Sequence, residues 1–492
     1  MSLRIGWSKI DITPPLLPVS IAGQFHSRIS EGVDDPLEAT VSVLDSGNDH
    51  VVFVACDLVA ISDRVRDTVR DEIRALPNGP NPAKIIFNAT HTHAGPETRL
   101  DVLREFIGSG HGVELEVRPA AEYVQFLIGQ LIAAVGEAWE SRTSGSVAYG
   151  LDYAVIARNR RWVDADGKSM MYRLNQRTAE RFRHIEGYED HSLNLLATYH
   201  PDGRLSGLIV NIPSPSQHCE RAFRLSADFW KETRDELRRR LGADLFILPQ
   251  CSAAGDLTQR VIFENAANSR MLELRKHDHR QEIAIRIADA VDRILPWIKQ
   301  ARVDNPELIH ETETLDLPLN ALTEKDAQEA QSEIDQLDTQ YQAEKAKIEA
   351  NPALRETPRW YVPVTRAFRK MRWHHGVIRR WEDQKTRPTK SIEAHFVRLG
   401  EVAFATNPFE YYLDFGIQIK VRSPATQTFL VQLAGEGSYL PSPRSVVGGG
   451  YGSVAASNAV GPEGGQVLAE QTVQKLRKLF PVPATEKINK IS

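Results

Sequence analysis

Short, unbroken apolar runs recur along the chain and stop abruptly at polar or small residues. Val51–Cys56 ends at Asp57, Ile85–Phe87 at Asn88-Ala-Thr-His, Leu208–Val210 at Asn211, Leu245–Leu248 at Pro-Gln-Cys-Ser, and Val402–Ala405 at Thr-Asn-Pro-Phe-Glu. Runs of this length without alternation mark strands covered on both faces. Between them the period changes: Val124, Leu127, Ile128, Leu131, Ile132 and Val135 line one face of a helix over Tyr123–Glu140. Further helices are predicted over Phe229–Leu241, Gln281–Ile298 and Gln466–Leu479. Strands alternating with helices predict an α/β fold with a mixed, largely parallel sheet core flanked by helices. In such sheets, sites are built just past the strand C-termini, where the polar segments fall. No internal repeat is visible in the sequence.

One stretch differs in character. From Thr323 to about Gln384 the chain is charged, and Ala327, Ala330, Ile334, Leu337, Tyr341 and Ile348 recur at near-heptad spacing, predicting a long helix with one apolar seam. Asn351-Pro352 and Glu356–Pro363 break it, and Val364–Trp381 follows as a basic helix carrying Arg366, Arg369, Lys370, Arg372, Arg379 and Arg380. The expectation is a charged helical hairpin over 321–389, inserted into an α/β domain made of 1–320 and 390–484, with a tail at 485–492. The simplest reading is a solvated hairpin paired mainly with itself; the other is a lid, or a contact through which a homo-oligomer forms.

Composition narrows the function classes. Among 492 residues, 60 Lys and Arg stand against 65 Asp and Glu for a net charge of -5, so the basic excess used to displace phosphate counterions is lacking and nucleic acid is not an expected partner. No apolar run approaches the roughly 20 residues of a membrane span, and the first residues lack a signal-peptide apolar region; the sequence as written reads as cytoplasmic. Cys56, Cys219 and Cys251 are too scattered for a disulfide framework or a Cys-based zinc site and read as small buried hydrophobes.

The strongest chemical signal is Asn88-Ala-Thr-His-Thr-His-Ala-Gly-Pro96, with His91 and His93 directly after a buried strand. One imidazole on a metal ion and one toward a substrate would suit such a pair, and capping is the plain alternative. His218 sits in a second polar segment after a strand, and Glu410 in a third, Asn407-Pro-Phe-Glu410. A helical His-Glu-x-x-His is absent. So is a Gly-x-Ser-x-Gly elbow, which disfavours a serine nucleophile near Cys251-Ser252. Gly448–Gly452 lacks the Lys-Ser/Thr of a phosphate loop.

Taken in order, the segments resemble the neutral (alkaline, non-lysosomal) ceramidase family, zinc-dependent amidohydrolases that cleave the N-acyl bond of ceramide. The likeness is carried by Asp11-Ile-Thr-Pro-Pro15, Glu31–Leu37, Val54–Asp57, Thr90-His-Thr-His-Ala-Gly-Pro96, Asn159-Arg160, His218 with Leu225–Asp228, Ala254-Gly-Asp256, Asn407–Glu410 and Ser438–Ser442. It spans roughly Ile5 to Phe480, apart from the helical insert, and implies the catalytic domain alone. The resemblance implies Zn2+ held by His91, His218, Glu410 and Tyr439, with His93, Arg160 and Tyr451 as catalytic groups facing the substrate.

Under that resemblance the reaction is hydrolysis of an amide by metal-activated water, with His93 protonating the leaving amine. Asp57 and Asp256 either orient the ligand histidines or cap turns. The family's secretion signal and C-terminal β-sandwich are not seen in this sequence, so the expected substrate is a small-molecule or lipid-like acyl amide rather than membrane ceramide in particular. The alternatives are a zinc esterase or deacylase on a small non-lipid substrate, such as an acylated sugar or amino compound, and a non-catalytic binding protein on the same fold.

Overall fold

A computed structural model describes residues 2–99, 112–172, 174–175 and 177–480; the expected tail at 485–492 lies outside them. The chain is a mixture of helices and sheets, and its backbone is organised by one connectivity used three times. The first unit runs β1 (Arg4–Asp11), β2 (Glu38–Asp45), β3 (His50–Cys56), α1 (Asp63–Arg74), β4 (Ile85–Ala89) and α2 (Ala120–Glu140). The second runs β5 (Ser146–Tyr153), β6 (Ser192–Tyr199), β7 (Leu205–Ile212), α3 (Phe229–Leu241), β8 (Phe246–Cys251) and α4 (His279–Ile298). The third begins with β9 (Leu308–Pro318), is interrupted by α5 (Glu324–Ala350) and α6 (Val362–Asp383), and resumes with β10 (Thr389–Leu399), β11 (Val402–Thr406), α7 (Leu413–Arg422), β12 (Gln427–Val431) and α8 (Pro462–Leu479).

In every unit the first three strands pair antiparallel, and a helix then crosses over to a fourth strand parallel to the third: β3 with β4, β7 with β8, β11 with β12. The expectation of largely parallel sheets is therefore corrected to mixed sheets in which antiparallel pairs predominate. The pattern misleads because both faces of each sheet are covered, which produces unbroken apolar runs whatever the strand direction. In β3, Val51, Phe53 and Ala55 enter a central core, where they meet Trp7, Leu196, Leu248, Phe404 and Phe429 from all three sheets. Val52, Val54 and Cys56 face the other way, into a core closed by Val69 of α1 and Leu127 of α2. The second sheet is closed likewise by Phe229 and Trp230 of α3 and Ile287 and Val291 of α4.

The repeat is invisible in the sequence because it lies in connectivity, with segments of unlike length (12–37, 154–191 and 319–388) inserted between the first and second strands of the units. In the third, α5 and α6 pack along each other, with the Tyr341 and Phe368 rings 5.3 Å apart and Ala330 against Val377. The helices are not simply solvated. The Thr365 Oγ1 of α6 accepts from the Ser27 backbone N–H at 3.1 Å, the Tyr361 hydroxyl from that of Ile29 at 3.2 Å, and Arg380 donates to the Ala455 carbonyl at 2.8 Å. No helix among the described residues is long and apolar enough to cross a membrane.

Candidate active site

The segments beyond the three parallel strand pairs meet at one place. His91 and His93 follow β4, Gln217 follows β7, Asp256 follows β8, and Glu410 and Tyr439 follow β11 and β12. Glu410 and Tyr439 stand opposite each other in a short parallel pairing. Gly255 is required by close approach: a Cβ there would lie 2.3 Å from the Glu410 carbonyl oxygen.

His91 has a left-handed backbone, φ 66°, an uncommon conformation for a non-glycine residue. Its Nδ1 lies 2.8 Å from the Val59 carbonyl, an acceptor only, so Nδ1 carries a proton. A neutral His91 then presents the bare lone pair of Nε2, and that atom lies 3.3 Å from Glu410 Oε2 and 3.2 Å from His93 Nε2.

The tautomer of His93 follows from its neighbours. The Arg160 guanidinium only donates, and Nη1 reaches Gln217 Oε1 at 3.1 Å, so the Gln217 amide N–H faces His93 Nε2 at 2.9 Å. His93 Nε2 is therefore an acceptor as well. Burial, then the neighbouring His91, Arg28 and Arg160, drive the His93 pKa well below its ordinary value, which keeps the ring neutral near pH 7. The Gln217 amide thus takes up the His93 lone pair, whereas the His91 Nε2 lone pair and the Glu410 carboxylate face each other across a gap that requires positive charge, a proton or a metal ion. Burial pushes the Glu410 carboxyl up, but His91, Arg160 and a hydrogen bond from Tyr439 outweigh it and hold the group below its usual value.

Arg160 ties the site together. It is 2% exposed and also donates to the Tyr172 hydroxyl at 3.0 Å, the Gly255 carbonyl at 2.8 Å and the Tyr439 hydroxyl at 3.0 Å. Burial pushes the Tyr439 phenol well above its ordinary value, with Arg160 opposing. Tyr451 stands edge-on to Tyr439, ring centres 5.3 Å apart, and burial raises its phenol too.

One sequence expectation needs correction, and the alternatives left open for Asp57 and Asp256 are decided. His218 is not brought to the site: its ring lies over His279, centres 5.2 Å apart, and burial, His279, Arg260 and Arg280 lower it to about 4. The adjacent Gln217 faces the histidines instead, while the Cys219 N–H is pinned to Asp228 Oδ2 at 2.7 Å. Asp57 forms a buried pair with Arg234, at 2.6 Å and 3.1 Å, and orients no histidine. Asp256 takes the Asn159 amide and the Leu413 N–H, each at 2.9 Å, while its carbonyl accepts from the Arg160 N–H at 2.9 Å; it positions Arg160. Gln217 and Tyr172 were missed, and only the position of Gln217 beside a singled-out histidine signalled it.

The donors fit a metal ion in part. One imidazole, one carboxylate and one phenol meet here, whereas His218 is elsewhere. Among the described residues no group of three or more His, Cys, Asp or Glu side chains forms a metal cluster. The donors open onto a cavity of about 740 Å³, lined by His91, His93, Glu410, Tyr439 and Tyr451 and roofed by α6 through Arg369, Trp373 and Gly376.

No family model and no curated protein matches the chain. Solved structures do. The neutral ceramidase from Pseudomonas aeruginosa superposes with a TM-score of 0.66 at 16% identity, over 100% of this chain and 76% of that one. A ceramidase complexed with C2 gives 0.65 at 14%, over 100% of this chain and 77% of the other. At these identities the likeness establishes the fold, and the chain is similar in fold to neutral ceramidase.

Proposed function

We propose that this chain is a zinc-dependent hydrolase of linear N-acyl amides. The observation that carries the reading is the convergence of His91 Nε2, Glu410 and Tyr439 beside a neutral His93 in one cavity. His91, Glu410 and Tyr439 would hold the ion; three protein ligands with an open position suit catalytic zinc. When bound, zinc supplies a Lewis acid and a water made acidic enough to react near neutral pH.

The remaining steps belong to side chains. The lone pair of His93 Nε2, freed from the Gln217 amide, accepts a proton from the attacking water and passes it to the departing amine. The Tyr451 hydroxyl, protonated because burial raises its pKa, donates to the oxygen that gains charge, a contact worth about 3 kcal/mol in comparable sites. Arg160 holds Tyr439 and Gln217 in place through its planar fork. The products are a carboxylate and an amine, and an ester would be cut by the same steps. The absence of His218 from the cavity favours a second reading, a non-catalytic binding protein on this fold.

Elemental analysis of protein purified without an affinity metal separates the two. About one zinc per chain, lost in Glu410→Ala together with turnover of N-acyl compounds, supports the hydrolase. A chain that takes up no zinc when it is added back supports the binding protein.

A further inference from the structure

Tyr451 is the most exposed residue of the proposed site, at 38%. Three glycines precede it and a fourth follows, a run whose backbone loses much freedom when it is fixed. Its ring meets those of Tyr439, Phe25 and Trp373, with centres 5.3, 5.7 and 6.1 Å away. Such contacts orient a side chain but leave open what holds the backbone that carries it.

That backbone is held by Arg161. Two consecutive arginines serve two tyrosines here: Arg160 donates to the Tyr439 hydroxyl, whereas Arg161 Nη1 donates to the Tyr451 carbonyl at 2.7 Å. Arg161 Nη2 donates to the carbonyls of Gly449 at 2.6 Å and Ser445 at 3.3 Å. The Arg161 side chain is 0% exposed, and its Nε and Nη2 meet the Glu186 carboxylate, 3% exposed, at 2.9 Å. The Ser445 hydroxyl donates to the same carboxylate, and the Glu186 N–H donates to the Arg161 carbonyl at 2.9 Å. Burial pushes the Glu186 carboxyl up, but Arg161 outweighs it and holds the group below its usual value. A buried ion pair is costly unless hydrogen bonds engage its remaining groups. Here the loop's own carbonyls and hydroxyl engage them, so burying the pair and seating the loop are one event. Gly450 completes the fit: its φ is 82°, and a Cβ there would lie 2.6 Å from the Ser169 carbonyl oxygen.

We infer that Arg161, with Glu186 as its counter-ion, is the positioning residue of Tyr451, fixing the loop from Ser445 to Tyr451 so that the phenol stays at the cavity wall. The inference rests on the hydrolase reading for what the phenol does; the hold on the loop stands on geometry alone. It also gives a shared task to the segments inserted between the first and second strands of the three units. Phe25 belongs to 12–37, Arg161 and Glu186 to 154–191, and Trp373 to 319–388, and all of them reach Tyr451 or its loop.

The test uses Arg161→Lys, Tyr451→Phe and the double variant of the full-length, zinc-supplemented chain. Lysine keeps a charge for Glu186 but cannot spread to three carbonyls as the planar fork does. Hydrogen exchange followed by mass spectrometry should show 445–453 exchanging about tenfold faster in Arg161→Lys, with β4 unchanged. Hydrolysis of N-octanoylethanolamine, followed by amine release, should show kcat falling about tenfold in Arg161→Lys with KM within about twofold. Added to Tyr451→Phe, the same substitution should cost less than about twofold more, because its target is already lost. Unchanged exchange over 445–453 overturns the inference, and so does an equal loss of kcat in both backgrounds. A wild type inert toward the amide counts against the hydrolase reading, and the exchange result alone then decides the hold on the loop. Should Arg161→Lys fail to fold, Glu186→Gln, which keeps the guanidinium and the side-chain shape, carries the same measurements and the same outcomes.

Discussion

The side-chain amide of Gln217 donates to His93 Nε2 at 2.9 Å, and its orientation is fixed because its oxygen accepts a hydrogen bond from Arg160. One hydrogen bond thus fixes Nε2 as the acceptor nitrogen of His93 and holds its lone pair until that bond is given up. Gln217→Ala should lower kcat about 10²-fold with little change in zinc content, whereas His218→Ala should leave both near wild type, because that ring packs on His279 outside the cavity. Steady-state kinetics and elemental analysis on the pair check this; a large loss of zinc in His218→Ala would restore that residue as a ligand.

Arg160 offers a second prediction. Its guanidinium reaches four acceptors at 2.8 to 3.1 Å, and an ammonium cannot reproduce that planar spread. Arg160→Lys should retain the charge yet cost about 10² in kcat/KM. It should also free the Tyr439 phenol to titrate differently, read from the absorbance of tyrosinate against pH.

Gly255→Ala tests the packing between Asp256 and Glu410. The added Cβ meets the Glu410 backbone at 2.3 Å, and a carbonyl cannot move aside as a flexible side chain can. A loss of about 1–3 kcal/mol in denaturant unfolding is expected, with zinc affinity falling as the carboxylate is displaced. Unchanged stability and affinity would mean the close approach is relieved elsewhere.

Asp256 gives the pH dependence. Burial raises its carboxyl from 3.8 to about 6 in the folded chain, above its unfolded value. Between about pH 4 and 6 the folded form therefore holds the proton that the unfolded form has lost, and stability falls as pH rises through that window, by an amount on the order of 3 kcal/mol. Asp256→Asn removes this slope, so the wild-type minus variant difference in unfolding free energy should decline from pH 4 to 6 and be flat above. A difference that rises with pH would contradict the assignment.

Much of this was legible in the sequence, for reasons that differ by residue. The helix over Phe229–Leu241 lies where its period places it, and polar segments after buried strands do hold His91, His93 and Glu410. Strand direction was not legible, since Val51–Cys56 is apolar throughout whether its partners run parallel or antiparallel. The exchange of Gln217 for His218 was not legible either: neighbouring residues in a turn point to opposite sides, and only the tertiary pairing of His218 with His279 decides which enters the cavity. The roof made by α6 was only one of the readings the sequence left open, because a face of arginines reads as solvated until something is seen to cover it.

The threefold use of one connectivity also sets an order in time. During synthesis the first two units can begin to assemble before the third has been made, and they bring with them His91, His93, Arg160 and Gln217. Glu410, Tyr439 and Tyr451 all lie in the final fifth of the 492 residues. A nascent chain can therefore be well folded over more than half its length and still hold an open pocket with neither its carboxylate nor its phenols. The proposed site is complete only when the last unit docks.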